Sequence, residues 1–465
     1  MMDTGRAIGL RLVASTRSTA NLETQMMRFM FILGVVGLTG RMPLVQAAQG
    51  AKAPPAQPAP ALPDWARDSL KKDPISRWDV TARGVTAEAK GCEIHVVNMD
   101  WGGLWEHKLQ VVSPVKATAD DLCVIFIGGG VPSALGSLGE AAKKLNVTCA
   151  GLGGIPCKSF GQVGEAGLLM GTLKYLQTHD STFITFVPMV RAVERAMDAI
   201  QELAPKELGK PVRRFILVGH SKAGGTAWWA AAIDPRVVGI VPIGADLLNV
   251  KAQAATYETV DLKSFMPKEM QEQMPGDAWE QISEVTDPYP LRSRLTMPKL
   301  IIQGANDEHF VTGATRFYFD DLPGEKWVLN LPNATHGGSG DAGEVPNSAT
   351  GAAIAAFITS IATARPLPQV TWTFKDAGDK LAITFSAADE ATQLLLWTAE
   401  NSSQDFRYRP WSSRTVTADF GDNVWIATAE VAKPAAGFVA AFVSAQFERD
   451  GRTFWLSSLI HVSKR

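Results

Sequence analysis

The chain has 465 residues, of which 46% are hydrophobic and 20% are charged, and its formal net charge at pH 7 is −2. This length is sufficient for two domains and a targeting segment, and the hydrophobic content is that of an ordinary globular protein. Because positive charge is neither in excess nor gathered in a basic run, the composition argues against electrostatic binding of nucleic acid. We therefore expect no nucleic-acid partner.

Residues 1–48 have the pattern of a secretory signal. Basic residues precede an apolar run at 29–38, and small residues follow at 45–48. A basic start, a short apolar core and a small-x-small exit predict cleavage near Ala47 or Ala48. The apolar run is too short to span a bilayer. We expect a periplasmic or secreted mature chain without a stable membrane span.

Composition and periodicity divide the rest of the chain into segments. Residues 49–74 begin with an Ala/Pro-rich stretch and predict an extended linker. Strand and helix patterns then alternate over 75–365, as in a mostly parallel sheet with helices on both faces. Between about 250 and 295 the pattern is helical, polar and Met-rich, which is typical either of a lid over a binding site or of a surface excursion. Period-two alternation over 366–465 predicts a β-sandwich similar to immunoglobulin or fibronectin modules. We interpret its tryptophans as packing residues, and the alternative is an exposed aromatic surface that binds sugars or peptides.

The segment 214–225 has the layout of a nucleophile elbow. A short apolar run leads to Ser221, and a helical pattern follows at once. A sharp strand-to-helix turn of this kind holds a serine hydroxyl over the carboxyl end of a parallel sheet, and its cramped backbone requires neighbours with small side chains. Gly219, Ala223 and Gly224 meet this requirement, although Ala223 occupies the fifth position of Gly-x-Ser-x-Gly.

Two later strand patterns each lead to a residue that can complete a catalytic triad. The apolar run 299–304 is followed by Asp307, and the run 326–331 by His336. The order serine, acid, histidine along the chain is that of α/β-hydrolases. We predict Ser221 as nucleophile, His336 as general base and Asp307 as the carboxylate that orients it. Three further carboxylates could serve as the acid instead: Glu308, Asp320 and Asp321.

Acyl transfer also requires hydrogen-bond donors for a developing oxyanion. One is expected to be the backbone N–H of Lys222, directly after the predicted nucleophile. The second is expected from Gly129 or Gly130, in the triple glycine that follows the strand pattern 121–127. A flexible turn is the alternative for these glycines, whereas a phosphate cradle is disfavoured because no Gly-Lys-Ser or Gly-Lys-Thr follows.

Further residues are candidates for the substrate pocket. We interpret His220 and His309 as lining or hydrogen-bonding residues rather than as a second base. Glu106 and Asp246 could hold the amine of a peptide substrate, if the protein cleaves at N-termini. Glu308 is interpreted as a solvated loop charge.

Eight short blocks occur in one order along the chain, and together they resemble a known family. The family is that of the PhoPQ-activated pathogenicity-related proteins, which are α/β-hydrolase-like, and the resemblance spans about residues 75–465. The resemblance implies a serine hydrolase fold followed by a β-rich C-terminal domain. It also implies kinship to secreted proliferation repressors and to dipeptidyl-peptidase-like enzymes. Ala223 departs from the basic residue expected there, which bears on the shape and charge of the pocket. The blocks are 105–107, 219–222, 234–237, 241–242, 246–249, 287–289, 297–302 and 320–326.

The four cysteines suit an oxidising compartment without requiring disulfides. Cys149 and Cys157 are the closest pair and our first choice for a disulfide, whereas Cys123 is interpreted as a small core residue and Cys92 is left unassigned. No Cys-x-x-Cys or His-x-x-x-His pattern occurs. We therefore expect no metal and no cofactor.

These predictions combine into an α/β-hydrolase domain with a C-terminal β-sandwich. The predicted function is a secreted serine hydrolase that cleaves an ester or a peptide bond of a small substrate through an acyl-enzyme on Ser221. The alternative is a non-catalytic secreted signalling or binding protein on a hydrolase scaffold, because a fold does not guarantee an activity. The sequence leaves open the choice between esterase and peptidase, and the oligomeric state.

Overall fold

A computed structural model of the protein describes residues 60–128, 135–257, 278–338, 345 and 348–465. The predicted signal segment, residues 49–59 of the predicted linker, Gly129, Gly130 and the middle of the predicted insertion lie outside the described residues. The rest of the predicted linker is not extended throughout, because residues 64–69 form a helix in which Trp65 and Ala66 are buried. Where the chain is described, no helix combines the length and the apolar character needed to cross a bilayer.

The described residues form eight α-helices and eighteen strands. The helices are α1 (Asp64–Ser69), α2 (Leu135–Leu145), α3 (Glu165–Thr178), α4 (Phe186–Glu207), α5 (Lys222–Ile233), α6 (Val250–Tyr257), α7 (Ala278–Thr286) and α8 (Ala349–Ala362). The first nine strands are β1 (Arg77–Val85), β2 (Ala89–Asp100), β3 (Leu104–Pro114), β4 (Ala119–Ile127), β5 (Val147–Leu152), β6 (Arg214–His220), β7 (Val237–Ile243), β8 (Lys299–Gly304) and β9 (Lys326–Leu331). The others are β10 (Val370–Ala377), β11 (Lys380–Ala387), β12 (Gln393–Asn401), β13 (Ser412–Thr415), β14 (Ala418–Gly421), β15 (Val424–Ala432), β16 (Phe438–Arg449), β17 (Arg452–Ser457) and β18 (His461–Lys464).

The centre of the large sheet is parallel. Its strands follow the order β5-β4-β6-β7-β8-β9, and the antiparallel strands β3, β2 and β1 extend it on the β5 side. The parallel strands are buried almost throughout, as expected for a sheet covered on both faces. Helices α4 and α5 pack in the hydrophobic cluster on one face, and α2 and α8 pack in the cluster on the other. This is the α/β-hydrolase fold that the sequence predicts.

The C-terminal strands form two layers, one of which continues the large sheet. β17 pairs with β9 at Ser457 and Val328, and β16, β12, β13 and β18 follow, so that this sheet has 14 strands in the described part of the chain. β10, β11, β15 and β14 form a separate antiparallel sheet. Side chains of both layers share one hydrophobic cluster with α8 of the hydrolase part. One layer of the C-terminal sandwich is therefore a continuation of the hydrolase sheet beyond β9.

All four cysteines are free thiols, so the predicted disulfide between Cys149 and Cys157 is wrong. Cys149 lies in β5 and packs in the cluster with α2 and α8. Cys157 lies in the loop after β5 and packs against the cluster on the opposite face. The sheet separates the two sulfur atoms, which their short spacing in the sequence does not reveal.

Candidate active site

The turn between β6 and α5 consists of Ser221 alone, whose φ is 60° and whose ψ is −126°. A positive φ is uncommon and strained for a residue with a Cβ, and it persists only where the surrounding structure enforces it. A Cβ on Gly219 would lie 2.3 Å from the carbonyl oxygen of Ala223, and a Cβ on Gly224 would lie 2.5 Å from the Cβ of Ala245. The glycines of the motif are thus required by close contact of the strand, the turn and the helix.

Asp307 and His336 form a buried pair. Oδ2 of Asp307 lies 2.8 Å from Nδ1 of His336, and their side chains are 3% and 5% exposed. The second carboxylate oxygen, Oδ1, accepts hydrogen bonds from the backbone N–H groups of His309 and Phe310, at 2.7 and 3.1 Å. Burial acts to raise the pKa of Asp307, but the charge and hydrogen bond of His336 and the N–H of His309 outweigh it and hold that pKa below its usual range. The carboxyl group is therefore an anion with a fixed orientation.

Ser221 and His336 lie at the same carboxyl edge of the sheet. The backbone N–H of Ser221 donates to the carbonyl oxygen of Ile243 at the end of β7, at 2.8 Å. The next residue, Gly244, lies against the imidazole, since a Cβ at that position would be 3.2 Å from Cε1 and Nδ1 of His336. The Ser221 hydroxyl is buried and has no hydrogen-bond partner among the described residues. The three residues predicted for a triad are thus brought to one edge of the sheet.

Two histidines surround the His336 ring. His220 lies with Nε2 2.6 Å from the carbonyl oxygen of His336, so this nitrogen carries the proton and donates it. Burial, together with the nearby His336, lowers the pKa of His220 and keeps it neutral. The ring of His309 meets that of His336 edge-on, with 4.4 Å between centroids. Both histidines therefore hold the candidate base in place.

The interpretation of Glu308 as a solvated loop charge is wrong. This residue is half-buried, and its Oε2 accepts a hydrogen bond from the backbone N–H of His336 at 2.9 Å. It thus fixes the main chain of His336, whereas Asp307 contacts the ring. Asp320 and Asp321 also lie between β8 and β9, but Asp321 accepts a hydrogen bond from the hydroxyl of Tyr289 at 2.5 Å, and it is Asp307 that contacts the ring of His336.

The two carboxylates predicted to bind a substrate amine form hydrogen bonds with other side chains of the protein. Asp246 is fully enclosed and accepts hydrogen bonds from the hydroxyls of Thr315 and Tyr318. Burial raises the pKa of Asp246 to about 7. Glu106 is exposed on β3 and pairs with Nε2 of His95 on β2 at 3.1 Å. Asp246 therefore belongs to the interior beside Asp307, and Glu106 forms a hydrogen bond with His95 at the surface.

An ion pair that sequence reasoning missed lies beside the elbow. The ammonium of Lys222 lies 3.0 Å from Oε2 of Glu165, and both side chains are largely buried. Glu165 begins α3, 57 residues before Lys222, so their spacing carries no signal. Ala223, where the resemblance leads us to expect a basic residue, is buried. The positive charge next to Ser221 is thus supplied by Lys222. The N–H of Lys222 lies in the first turn of α5, whereas Gly129 and Gly130 lie outside the described residues.

A family model of the PhoPQ-activated pathogenicity-related proteins matches residues 66–407, well over half of the chain. The chain belongs to this family. The resemblance drawn from the sequence blocks is therefore confirmed. Across the described positions of this family member, no group of three or more His, Cys, Asp or Glu side chains is arranged to hold a metal ion.

Relatives of this family member include a protein of a eukaryote. Autocrine proliferation repressor protein A of Dictyostelium discoideum is 25% identical over 391 residues, which cover 75% of this chain and 77% of that protein. Among solved structures, acetyl xylan esterase 1 from Thermoanaerobacterium sp. is similar with a TM-score of 0.46 and 15% identity, over 64% of this chain and 92% of that one. A glucuronoyl esterase from Solibacter usitatus is similar with a TM-score of 0.36 and 14% identity, over 68% of this chain and 90% of that one.

Proposed function

We propose that the protein is a serine hydrolase with Ser221 as nucleophile, His336 as general base and Asp307 as the orienting acid. The observation that carries the proposal is the buried pair of Asp307 and His336, at 2.8 Å, beside a serine held at positive φ in a strand-to-helix turn. Perturbed ionisable groups that converge on a strained residue are typical of active sites.

The proposed reaction proceeds through an acyl-enzyme. Nε2 of His336 accepts the proton of Ser221 as Oγ forms a bond to the substrate carbonyl carbon. The negative charge then on the carbonyl oxygen is stabilised by the N–H of Lys222 and, as the sequence predicts, by an N–H of the triple glycine. The bond to the leaving group breaks, and His336 gives that group its proton. Water then attacks the acyl carbon and loses a proton to His336. The bond from the acyl carbon to Oγ breaks, the carboxylic acid product leaves, and His336 returns the proton to Oγ of Ser221.

Among the possible substrates, an ester of a small molecule is the class we propose. Cleavage at a peptide N-terminus requires a carboxylate for the free amine, and Asp246 already accepts hydrogen bonds from inside the protein. Glu165, a further acid beside the elbow, pairs with Lys222. The N-terminal pattern further supports a periplasmic or secreted location, and the change in periodicity supports a hydrolase domain at 75–365 followed by a second domain at 366–465.

Labelling by a fluorophosphonate tests the proposal, since such a probe reacts only with an activated serine. We expect one label per folded chain, on the peptide that contains Ser221, and none on Ser221→Ala. The matched control is Ser360→Ala, which removes a buried hydroxyl that donates to the Phe357 carbonyl on α8. This control should label like the wild type. A folded wild-type protein that does not react would exclude an activated Ser221.

A binding or signalling function is the second candidate. It is favoured by one observation, the name of the Dictyostelium relative, which describes that protein as a repressor of proliferation. The same labelling experiment separates the two functions, because a scaffold without activity leaves Ser221 unreactive while the protein remains folded.

A further inference from the structure

A loop of the C-terminal region lies against the segments that carry Asp307 and His336. This loop, residues 402–411, connects β12 to β13 and is named the bridging loop. Phe406 and Trp411 are buried at its middle and end. The ring of Trp411 packs edge-on against Phe442 of β16, with 5.1 Å between centroids. The bridging loop is therefore anchored in the core of the C-terminal sandwich by two aromatic side chains.

Asn306 joins the bridging loop to the segment of the acid. Its amide nitrogen donates two hydrogen bonds, to the carbonyl oxygens of Phe406 at 2.9 Å and of Arg409 at 2.7 Å. Asn306 is buried and immediately precedes Asp307. Its backbone N–H donates to the carbonyl oxygen of Ala334 at 3.0 Å, in the segment that leads to His336. One residue thus connects the acid segment, the base segment and the C-terminal sandwich.

Asn333 makes the corresponding connection for the base. Its amide nitrogen donates to the carbonyl oxygen of Trp411 at 3.1 Å, and its Oδ1 accepts from the N–H of Trp411 at 2.7 Å. Asn333 has a φ of 55°, which asparagine tolerates better than most residues. It lies three positions before His336. The two asparagines therefore form four hydrogen bonds between the bridging loop and the segments of the candidate acid and base.

We propose that the C-terminal sandwich positions the acid and the base of the active site through Asn306 and Asn333. The inference rests on the proposed function, because it assigns Asp307 and His336 their roles in catalysis. Asp307 and His336 lie beyond the ends of β8 and β9, so the strand pairing of the sheet does not hold their main chain in place. Catalytic groups must be held to within about 0.5 Å of the reactive geometry, and a displacement of about 1 Å can cost on the order of 100-fold in rate.

A separate contact joins the two parts of the chain within the large sheet rather than through the bridging loop. Asn330 of β9 is buried, and its amide nitrogen donates to the carbonyl oxygen of Ser458 at 2.9 Å, while its backbone N–H donates to the hydroxyl of Ser457 at 2.9 Å. This seam joins β9 to β17. Asn330 therefore offers a matched control: a buried asparagine that also connects the two parts but lies within the sheet.

The test compares variants of the full chain in their second-order rate of fluorophosphonate labelling, per folded molecule. Asn306→Ala and Asn333→Gly are expected to label about 10- to 100-fold more slowly. Asn333→Gly suits the positive φ, so it removes the side-chain hydrogen bonds alone. Asn333→Asp keeps the acceptor for the Trp411 N–H and should recover part of the rate. With an ester that the protein hydrolyses, the loss should appear in kcat and leave KM unchanged.

The control Asn330→Ala distinguishes a positioning role from a general contribution to the contact between the two parts of the chain. Asn330→Ala should lower Tm yet label at the wild-type rate. If the folded Asn306→Ala and Asn333→Gly variants label like the wild type, or if Asn330→Ala is slowed equally, the positioning proposal is overturned while the proposed function stands. If the wild type itself does not label, the proposed function fails first. Should Asn306→Ala not fold, the pair Asn333→Gly and Asn333→Asp decides the matter.

Discussion

Replacing Asp307 by asparagine is the substitution with the best-defined consequence. The two backbone N–H groups that bind Oδ1, from His309 and Phe310, require an oxygen at that position. In Asp307→Asn the amide oxygen must therefore take the place of Oδ1, and the NH2 group must face Nδ1 of His336. A donor opposite Nδ1 forces the imidazole proton onto Nε2. The ring then presents a proton to Ser221 instead of an acceptor.

The expected loss follows from this change of tautomer. The same substitution in a serine protease triad lowers kcat about 10⁴-fold, which corresponds to about 5 kcal/mol at 1.36 kcal/mol per factor of ten. The fold should survive, because the amide keeps the shape of the carboxyl group and the bonds to the backbone.

The assay is the rate of fluorophosphonate labelling, with Asp246→Asn as the matched control. Asp246 is also buried and lies near Asp307, but its hydrogen bonds go to Thr315 and Tyr318. Asp246→Asn should keep most of the reactivity. If folded Asp307→Asn retained more than about a tenth of the wild-type rate, Asp307 would not orient the base.

Three further outcomes are expected. Glu308→Ala should slow labelling about 10-fold, because it frees the main chain of His336. Glu308→Gln keeps an oxygen acceptor for the N–H of His336 and should label at nearly the wild-type rate. Equal labelling rates for the two variants would contradict this role of Glu308. Asp246 in the folded protein has a pKa of about 7, above that of the unfolded chain, so the folded state holds a proton that the unfolded chain releases. Its contribution to stability is therefore lost as pH rises from about 4 to 7, and urea titrations of Asp246→Asn should lack this part of the slope. In a thiol assay at pH 8, the native protein should expose Cys157 alone, and slowly, because burial raises the pKa of that thiol to about 11. The unfolded protein should release four thiols without a reductant, and fewer would indicate a disulfide.

The sequence predicts the elements of the site that depend on local structure. The apolar run before Ser221 and the glycines around it suffice, because the elbow is a contact among residues close in sequence. Asp307 and His336 can also be predicted from the sequence, because each follows closely after a strand pattern. The order serine, acid, histidine along the chain is that of the α/β-hydrolase fold.

Contacts between distant segments could not be predicted in this way. Asn306 meets the bridging loop about 100 residues further along the chain, and neither partner belongs to a periodic pattern. The backbone contact of Glu308 depends on how the turn after β8 folds back on the segment of His336. Period-two alternation predicts the C-terminal strands, but it cannot show that β17 pairs with β9 and so joins the sandwich to the hydrolase sheet.

Trapping an acyl-enzyme tests the central claim most directly. The protein is mixed with an activated ester, quenched in acid within milliseconds, and examined by intact-mass and peptide mass spectrometry. We predict one acyl group per chain, on the peptide that contains Ser221, and its absence from Ser221→Ala. A folded wild-type protein that acquires no acyl group, or an adduct that persists in Ser221→Ala, would contradict the assignment of Ser221 as the nucleophile.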